Sequence, residues 1–259
     1  MSKKNIGDLG VLSNSVIGED LYLIRLKVEG VEPEIRPGQF VEIRVKGADG
    51  VMLRRPISIH DYNPDSKVME LLVRRAGNGT RKLVGCQAGD RLDVVFPLGN
   101  GFDMSVAGER PLLVGGGVGV APLMMLGKEL RKRGAKPTFL FGARSAGALL
   151  RLDKYREVGR VDVATEDGSE GTKGFVTDHA DMTVEGLKGF TSVMQCGPTP
   201  MMKAVARRAQ EAGVECYASL ENMMACGFGV CLCCVTDTVN GNKRVCADGP
   251  VFNVNELRW

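Results

Sequence analysis

Along residues 1–104 apolar and charged positions alternate with period two, as in Val41-Glu42-Ile43-Arg44-Val45 and Arg91-Leu92-Asp93-Val94. That alternation is the pattern of half-buried strands. Turn-forming residues separate the runs at Pro37-Gly38, Asn63-Pro64, Gly77-Asn78-Gly79 and Gly99-Asn100-Gly101. Helical periodicity is scarce, so this part predicts an antiparallel barrel or sandwich. After Pro111 an apolar strand (Leu112, Leu113, Val114) runs into a glycine-rich turn and a helix that starts near Ala121-Pro122 and stops at Gly134. Strands at 138–141, 161–164 and 192–195 then alternate with helices at 149–158 and 201–212, the last ended by Gly213. Such alternation predicts a doubly wound parallel sheet.

From Met223 onward the periodicity gives way to cysteines, glycines and a hairpin turn at Asn240-Gly241. The chain thus divides into an all-β barrel over 1–104, an α/β domain over 105–221 and a small lobe over 222–259. There is no internal repeat and no low-complexity segment.

Composition narrows the classes. The 259 residues carry 34 Lys+Arg against 31 Asp+Glu, a net charge of +3, with 44% apolar and 25% charged residues. These are the proportions of a soluble globular protein. Basic residues cluster only at Arg131-Lys132-Arg133, the last turn of a helix, so neither nucleic acid nor an anionic membrane is an expected partner. The stretch 1–10 lacks the apolar core of a signal peptide, and the run 112–126 is broken by glycines and a proline, short of a membrane span. A cytoplasmic location is expected. Eight cysteines are too few for a disulfide scaffold at this length, yet five lie at or after Cys226. Crowding of that kind points to a metal site.

Cys226, Cys231 and Cys234 stand in the spacing C-x4-C-x2-C, and Cys246 follows, which is the ligand pattern of a plant-type [2Fe-2S] cluster. Gly227 and Gly229 would let the loop wrap a small cluster with its amides turned toward the sulfurs. Zinc is the rival, but zinc ribbons use two C-x2-C knuckles and only one is present. Cys233 could replace Cys234 as the third ligand; the x2 spacing favours Cys234. Cys86, Cys196 and Cys216 read as small buried hydrophobes.

Gly115 to Pro122 (GGGVGVAP) follows a strand and opens a helix, where a backbone can approach a pyrophosphate. Val120 stands where the last glycine of G-x-G-x-x-G would be, so this is not the standard dinucleotide fingerprint, and a purely structural turn is an equal reading. In the barrel, Arg55-Pro56-Ile57-Ser58 ends a strand, and Gly77-Asn78-Gly79-Thr80 precedes a short segment that Thr80 could cap. Both could hold phosphate, and both could be a strand end and a turn. His60 and His179, the two histidines, read as ordinary polar residues.

Together these stretches resemble the ferredoxin-reductase-like flavoproteins and, within them, the electron transfer subunits of class 1B dihydroorotate dehydrogenases. Arg55-Pro56-Ile57-Ser58 is similar to the family's R-x-[YI]-S flavin motif. The segments 97–102 (PLGNGF) and 115–122 look like its barrel-closing and nicotinamide-side segments, and Cys196-Gly197-Pro198 like its C-G-P motif. The run 226–234 with Cys246 and Gly249-Pro250-Val251-Phe252 selects the subunit.

The resemblance implies roles. Arg55, Pro56, Ile57 and Ser58 would lie along FAD, with the arginine on its pyrophosphate; Leu72, Val73 and Arg74 would line the flavin; Gly79 and Thr80 would bind the pyrophosphate. Gly116, Gly117 and Gly119 would leave room for NAD, with Cys196 near the nicotinamide. Cys226, Cys231, Cys234 and Cys246 would hold the [2Fe-2S] cluster. At Phe141-Gly142-Ala143-Arg144 no acid is available for a ribose 2′-OH, so the choice of NADH over NADPH comes from the resemblance alone.

The implied function is transfer of electrons between NAD and an FMN-containing dihydroorotate dehydrogenase catalytic subunit, in a heterotetramer of two copies of each, for pyrimidine (UMP) biosynthesis. A flavin must stand between a two-electron nicotinamide and a one-electron cluster. No acid–base constellation for a small organic substrate is present, so catalytic residues of that kind are not expected. The alternatives are a reductase subunit of another redox complex (hydrogenase, sulfide dehydrogenase or transhydrogenase type) and a zinc-bearing binding module. Met223, Met224, Phe228 and Trp259 are candidates for a docking patch beside the cluster, and equally for a seal that only keeps water from it.

Overall fold

The computed structural model describes residues 3–45, 47 and 50–259; Met1 and Ser2 of the N-terminal stretch lie outside them. Six strands form the first unit: β1 (Asn5–Gly18), β2 (Leu21–Lys27), β3 (Phe40–Ile43), β4 (Arg55–Asn63), β5 (Val68–Arg74) and β6 (Arg91–Leu98). They close in the order β1-β2-β5-β4-β3-β6, all pairs antiparallel, with Asn5 of β1 opposite Phe96 of β6. Closure leaves no exposed sheet edge. Ile24, Leu26, Ile43, Ile59, Met69, Leu71 and Phe96 fill the barrel. A short helix α1 (Asn78–Leu83) plugs one end through Leu83.

The second unit alternates β7 (Pro111–Gly116), α2 (Leu123–Lys132), β8 (Thr138–Ala143), α3 (Leu152–Arg156), β9 (Arg160–Thr165), β10 (Thr172–Lys173), α4 (Val184–Leu187), β11 (Ser192–Cys196), α5 (Thr199–Ala212) and β12 (Cys216–Ser219). The C-terminal segment adds β13 (Val235–Thr236), β14 (Lys243–Arg244) and β15 (Val251–Asn253). Among the described residues the large sheet runs β10-β9-β8-β7-β11-β12-β15. It is parallel except for β15, which pairs antiparallel with β12. β7 lies between β8 and β11, the doubly wound arrangement. Its C-terminal end is therefore a switch point, where ligands sit in such folds.

The C-terminal lobe is not a free appendage. β15 extends the nucleotide-domain sheet, and one apolar cluster joins Phe40 and Leu98 of the barrel, Val193 and Val205 of the α/β unit, and Cys234, Val245, Cys246 and Phe252 of the lobe. β13 and β14 form the hairpin expected around Asn240-Gly241, with Gly241 at φ +86°.

Three local expectations need correction. The helix expected over 149–158 spans only Leu152–Arg156, because Leu150 is drawn into the core beside Tyr155 and Arg151 turns the chain at φ +50°. Arg55 to Ser58 begins β4 rather than ending a strand. Gly77-Asn78-Gly79 is a helix start and not a hairpin turn; Thr80 lies at its third position, where its hydroxyl accepts the Gly77 and Ala76 N–H groups, both at 3.0 Å.

Candidate functional site

Arg55 opens β4 beside the first turn of α1. A first side-chain carbon at Gly79 would stand 2.3 Å from Arg55 Nε, so the missing side chain lets the guanidinium lie against the helix backbone. Arg55 Nη1 also donates to the carbonyls of Leu53 (3.0 Å) and Arg54 (3.1 Å). Arg55, Gly79 and Thr80, separate in sequence, are thus neighbours, with a fixed cation and backbone within reach of one anion. Pro56, Ile57 and Ser58 follow, half-buried. On β5 the strand period divides the expected trio: Val73 points into the barrel, Leu72 packs against Phe102, Val120 and Ala121, and Arg74 is exposed. Val73 can therefore meet a ligand outside the barrel only through its backbone.

At the switch point the three glycines differ. Gly117 has φ +56° and open space around its missing side chain. A carbon on Gly119 would stand 2.5 Å from the Cys196 carbonyl oxygen, and one on Gly116 would stand 2.6 Å from Met201 Sδ. Gly116 and Gly119 thus let the turn pack against the 196–201 segment, and Gly117 alone faces free space. Cys196 ends β11, fully buried, with Sγ 3.9 Å from Glu221 Oε1; burial and then the Glu221 charge push its thiol well up. Arg144 is exposed, and the amides of Glu166 and Asp167 bond the carbonyls of Ala143 (3.1 Å) and Arg144 (3.2 Å). The backbone of the acidic pair Glu166-Asp167 after β9 is thus bonded to the end of β8, with the Asp167 carboxylate accepting from Ser169, a juxtaposition that one strand's sequence does not reveal.

His60 is not an ordinary polar residue. It is fully buried with Nδ1 2.9 Å from the Ala121 carbonyl oxygen, Nε2 has no protein partner among the described residues, and burial pushes its pKa down to about 4. His179 does behave as expected, its Nδ1 accepting the Asp181 N–H at 3.2 Å.

The four expected cluster ligands come together as two contacting pairs, Cys226 with Cys231 and Cys234 with Cys246. Gly227 (φ +77°), Gly229 (φ +85°) and Leu232 (φ +60°) wind the loop tightly. Partial burial alone would raise the Cys226 thiol, but amides of Cys231, Phe228 and Val230 turned toward the sulfur bring it down to about 6. The Cys246 N–H points at Cys234 Sγ (3.4 Å), and the Gly229 backbone reaches Cys246. Cys234 and Cys246 are buried, Cys226 is half-buried, and Cys231 and Cys233 are exposed.

Among the described residues no three His, Cys, Asp or Glu side chains are gathered closely enough to hold a metal ion, the four cysteines standing as two separate pairs. The donor set, four cysteine sulfurs with backbone amides directed at those of Cys226, Cys234 and Cys246, nevertheless fits an iron–sulfur cluster, whose sulfurs take such hydrogen bonds.

Beneath the loop lies Glu42 of β3, fully buried, with neither carboxylate oxygen partnered among the described residues. Burial raises its carboxyl to about 7, with Arg54 opposing and Cys226 adding to the rise. The apolar residues around the cluster do not all face out. Met223 (84% exposed), Phe228, Val230 and Leu232 do, whereas Met224 (6%) is core and Trp259 packs against that core. Met224 and Trp259 therefore leave the expected docking patch, and Val230 and Leu232, hidden among the cysteines, enter it.

Comparison with known proteins gives this geometry its family. Residues 8–102 match the oxidoreductase FAD-binding domain and 113–207 the oxidoreductase NAD-binding domain. Residues 221–258 match the iron–sulfur cluster binding domain of dihydroorotate dehydrogenase B. The dihydroorotate dehydrogenase B (NAD(+)) electron transfer subunit of Shouchella clausii is 38% identical over 98% of this chain and 99% of its own length. That of Bacillus velezensis is 42% identical over 96% and 97%.

The chain belongs to this family.

It is an oxidoreductase electron transfer subunit with domains for FAD, NAD and an iron–sulfur cluster. A solved NADH-dependent reduced ferredoxin-NADP oxidoreductase is similar in structure, with a TM-score of 0.86 and 33% identity over 97% of this chain and 90% of that one. A cytochrome P450 reductase from Amycolatopsis gives a TM-score of 0.71 at 25% identity over 82% and 67%. Among the described residues no helix is long and apolar enough to cross a membrane.

Proposed function

We propose that this chain carries electrons between NAD+ and an FMN-containing dihydroorotate dehydrogenase catalytic subunit, in a cytoplasmic heterotetramer of two copies of each that serves pyrimidine (UMP) biosynthesis. One observation carries the reading: the loop of Cys226 and Gly227 rests on Glu42, and Glu42 pairs in register with Pro56 of the flavin motif, so the two redox sites share a two-strand wall. When bound, FAD supplies the exchange between two-electron nicotinamide chemistry and one-electron cluster chemistry.

The chain's own residues do the holding. Arg55 with Gly79 and Thr80 binds the FAD pyrophosphate, and Pro56, Ile57, Ser58, Leu72, Arg74 and the Val73 backbone border the ring. The turn of Gly116, Gly117 and Gly119 admits the dinucleotide at the open face of Gly117, and Glu166 with Asp167 disfavours a 2′-phosphate there. Cys196, buried and kept a neutral thiol, closes the nicotinamide side against water. Cys226, Cys231, Cys234 and Cys246 hold the cluster. The domain limits 1–104, 105–221 and 222–259 mark the three binding units.

The test is reconstitution. The isolated chain reduces artificial dyes with NADH and does not oxidise dihydroorotate; adding the catalytic subunit creates NAD-linked dihydroorotate turnover, and the assembly has the mass of two of each subunit. Similarity to the ferredoxin-NADP oxidoreductase favours a second reading, a reductase subunit of another complex. Failure of every dihydroorotate dehydrogenase catalytic subunit to restore turnover, with dye reduction intact, would select it.

A further inference from the structure

Glu42 stands where a charged side chain has no ordinary reason to be. It is completely buried, both carboxylate oxygens lack a protein partner among the described residues, and it faces the apolar cluster that joins the barrel to the C-terminal lobe. An unpartnered buried polar group costs on the order of 1–3 kcal/mol, so its persistence calls for a partner that is not protein.

The nearby cations do not serve. Arg54 Nη2 donates to both oxygens of the Asp93 carboxylate, at 2.9 and 3.0 Å, and the side chain meets Glu42 only at the main-chain oxygen. Arg55 turns to the carbonyls of Leu53 and Arg54. Over the carboxyl sits the cluster loop itself. A first side-chain carbon at Gly227 would lie 3.0 Å from Glu42 Cγ and 3.6 Å from Oε1, so only glycine lets the Cys226 segment settle onto this acid. The first expected cluster ligand, Cys226, is the residue before it.

We propose that Glu42 is a partner of the bound [2Fe-2S] cluster: its side chain donates to a cluster sulfur and so fixes the position and raises the reduction potential of the centre next to the flavin strand. Hydrogen bonds to cluster sulfurs stabilise the extra electron of the reduced form, which sets the direction of the effect. The inference rests on the cluster reading above and goes beyond it by adding a donor from the barrel, outside the cysteine lobe.

The experiment uses the full chain loaded with FAD and cluster, in two variants. Glu42→Gln keeps the shape and an N–H donor, and Glu42→Met keeps the volume and removes the donor. Cluster potentials are followed by electron paramagnetic resonance, and the FAD potential, read optically, serves as an internal control. The expected result is a negative shift of the cluster potential in Glu42→Met at full iron content, with FAD unmoved and Glu42→Gln close to the parent. Glutamine labelled with nitrogen-15 should add a nitrogen coupling to the reduced cluster of Glu42→Gln that the parent, labelled in the same way, lacks.

An unmoved or positively shifted potential in Glu42→Met would overturn the proposal. If Glu42→Met does not fold, absence of the nitrogen coupling in Glu42→Gln would overturn it instead. A parent protein with no iron–sulfur resonance at all would show that the cluster reading, and not the role of Glu42 alone, had failed.

Discussion

His60 Nδ1 lies 2.9 Å from the carbonyl oxygen of Ala121, a buried hydrogen bond between the flavin-motif strand and the residue that leads into helix α2. The bond ties barrel to nucleotide domain next to the open turn at Gly117. With Nδ1 donating and no partner for Nε2 among the described residues, the ring is held neutral.

That neutrality predicts an acid weakness. The folded pKa of about 4 lies below the ordinary 6.5, so below pH 6.5 the unfolded chain binds more protons than the folded one. Stability contributed by this site is full above pH 6.5 and falls as the pH drops toward 4, by roughly 3 kcal/mol at 1.36 kcal/mol per pH unit. His60→Gln keeps a donor for Ala121 and removes the titration. Denaturant unfolding at a series of pH values should show a shallower acid slope for His60→Gln; parallel slopes would refute the assignment.

Cluster ligation separates two adjacent thiols. Ser in place of Cys226, Cys231, Cys234 or Cys246 should abolish the visible absorption of the cluster, while Cys233→Ser retains it, because Cys234, not Cys233, is paired with Cys246. Iron content measured for the five variants checks this, and retention in Cys234→Ser with loss in Cys233→Ser would reverse the assignment.

The flavin pyrophosphate contact can be probed from both of its sides. Arg55→Ala should weaken FAD retention by roughly 1.5–3 kcal/mol, about 10- to 150-fold in Kd, with iron content preserved. Gly79→Ala should act in the same direction without changing charge, since its Cβ would stand 2.3 Å from Arg55 Nε and displace the guanidinium. Equilibrium dialysis of FAD is the measurement. Full affinity in Arg55→Ala would remove the arginine from the phosphate site.

Periodicity exposed the elements whose environment is repeated along the strand, and missed what a distant segment imposes. The alternation around Val41 to Val45 announced a strand, yet it also read Glu42 as facing solvent; the Gly227 loop, from the other end of the chain, covers it. His60 sits at a position whose burial depends on docking of the segment before α2, which no strand pattern encodes. Arg55 to Ser58, expected at a strand end, begins β4, where the missing N–H of Pro56 is tolerated near the first position. The approach of Cys226 to Cys231 and of Cys234 to Cys246 was legible since the C-x4-C-x2-C spacing already keeps these residues within one short lobe. Met223 and Met224 were not separable, for a loop has no period to tell adjacent residues apart.

That last pair gives the sharpest test of the docking surface. Met223 is 84% exposed beside Cys226, with Phe228, Val230 and Leu232 also facing out, whereas Met224 is 6% exposed within the core shared by the three units. An apolar surface of this kind beside an electron carrier suits a partner that must bring its own cofactor close while excluding water. Met223→Asp should therefore lower NAD-linked dihydroorotate turnover in the presence of the catalytic subunit and leave NADH-driven dye reduction unchanged, because nothing in the fold depends on its side chain. Met224→Ala should behave oppositely: truncating a core methionine costs about 2–5 kcal/mol, so thermal stability falls and both activities decline together on warming. Steady-state kinetics in the two assays, beside melting curves, distinguish the cases. Equal losses in both assays for a stable Met223→Asp protein would place that methionine in the service of the cluster and remove the docking role.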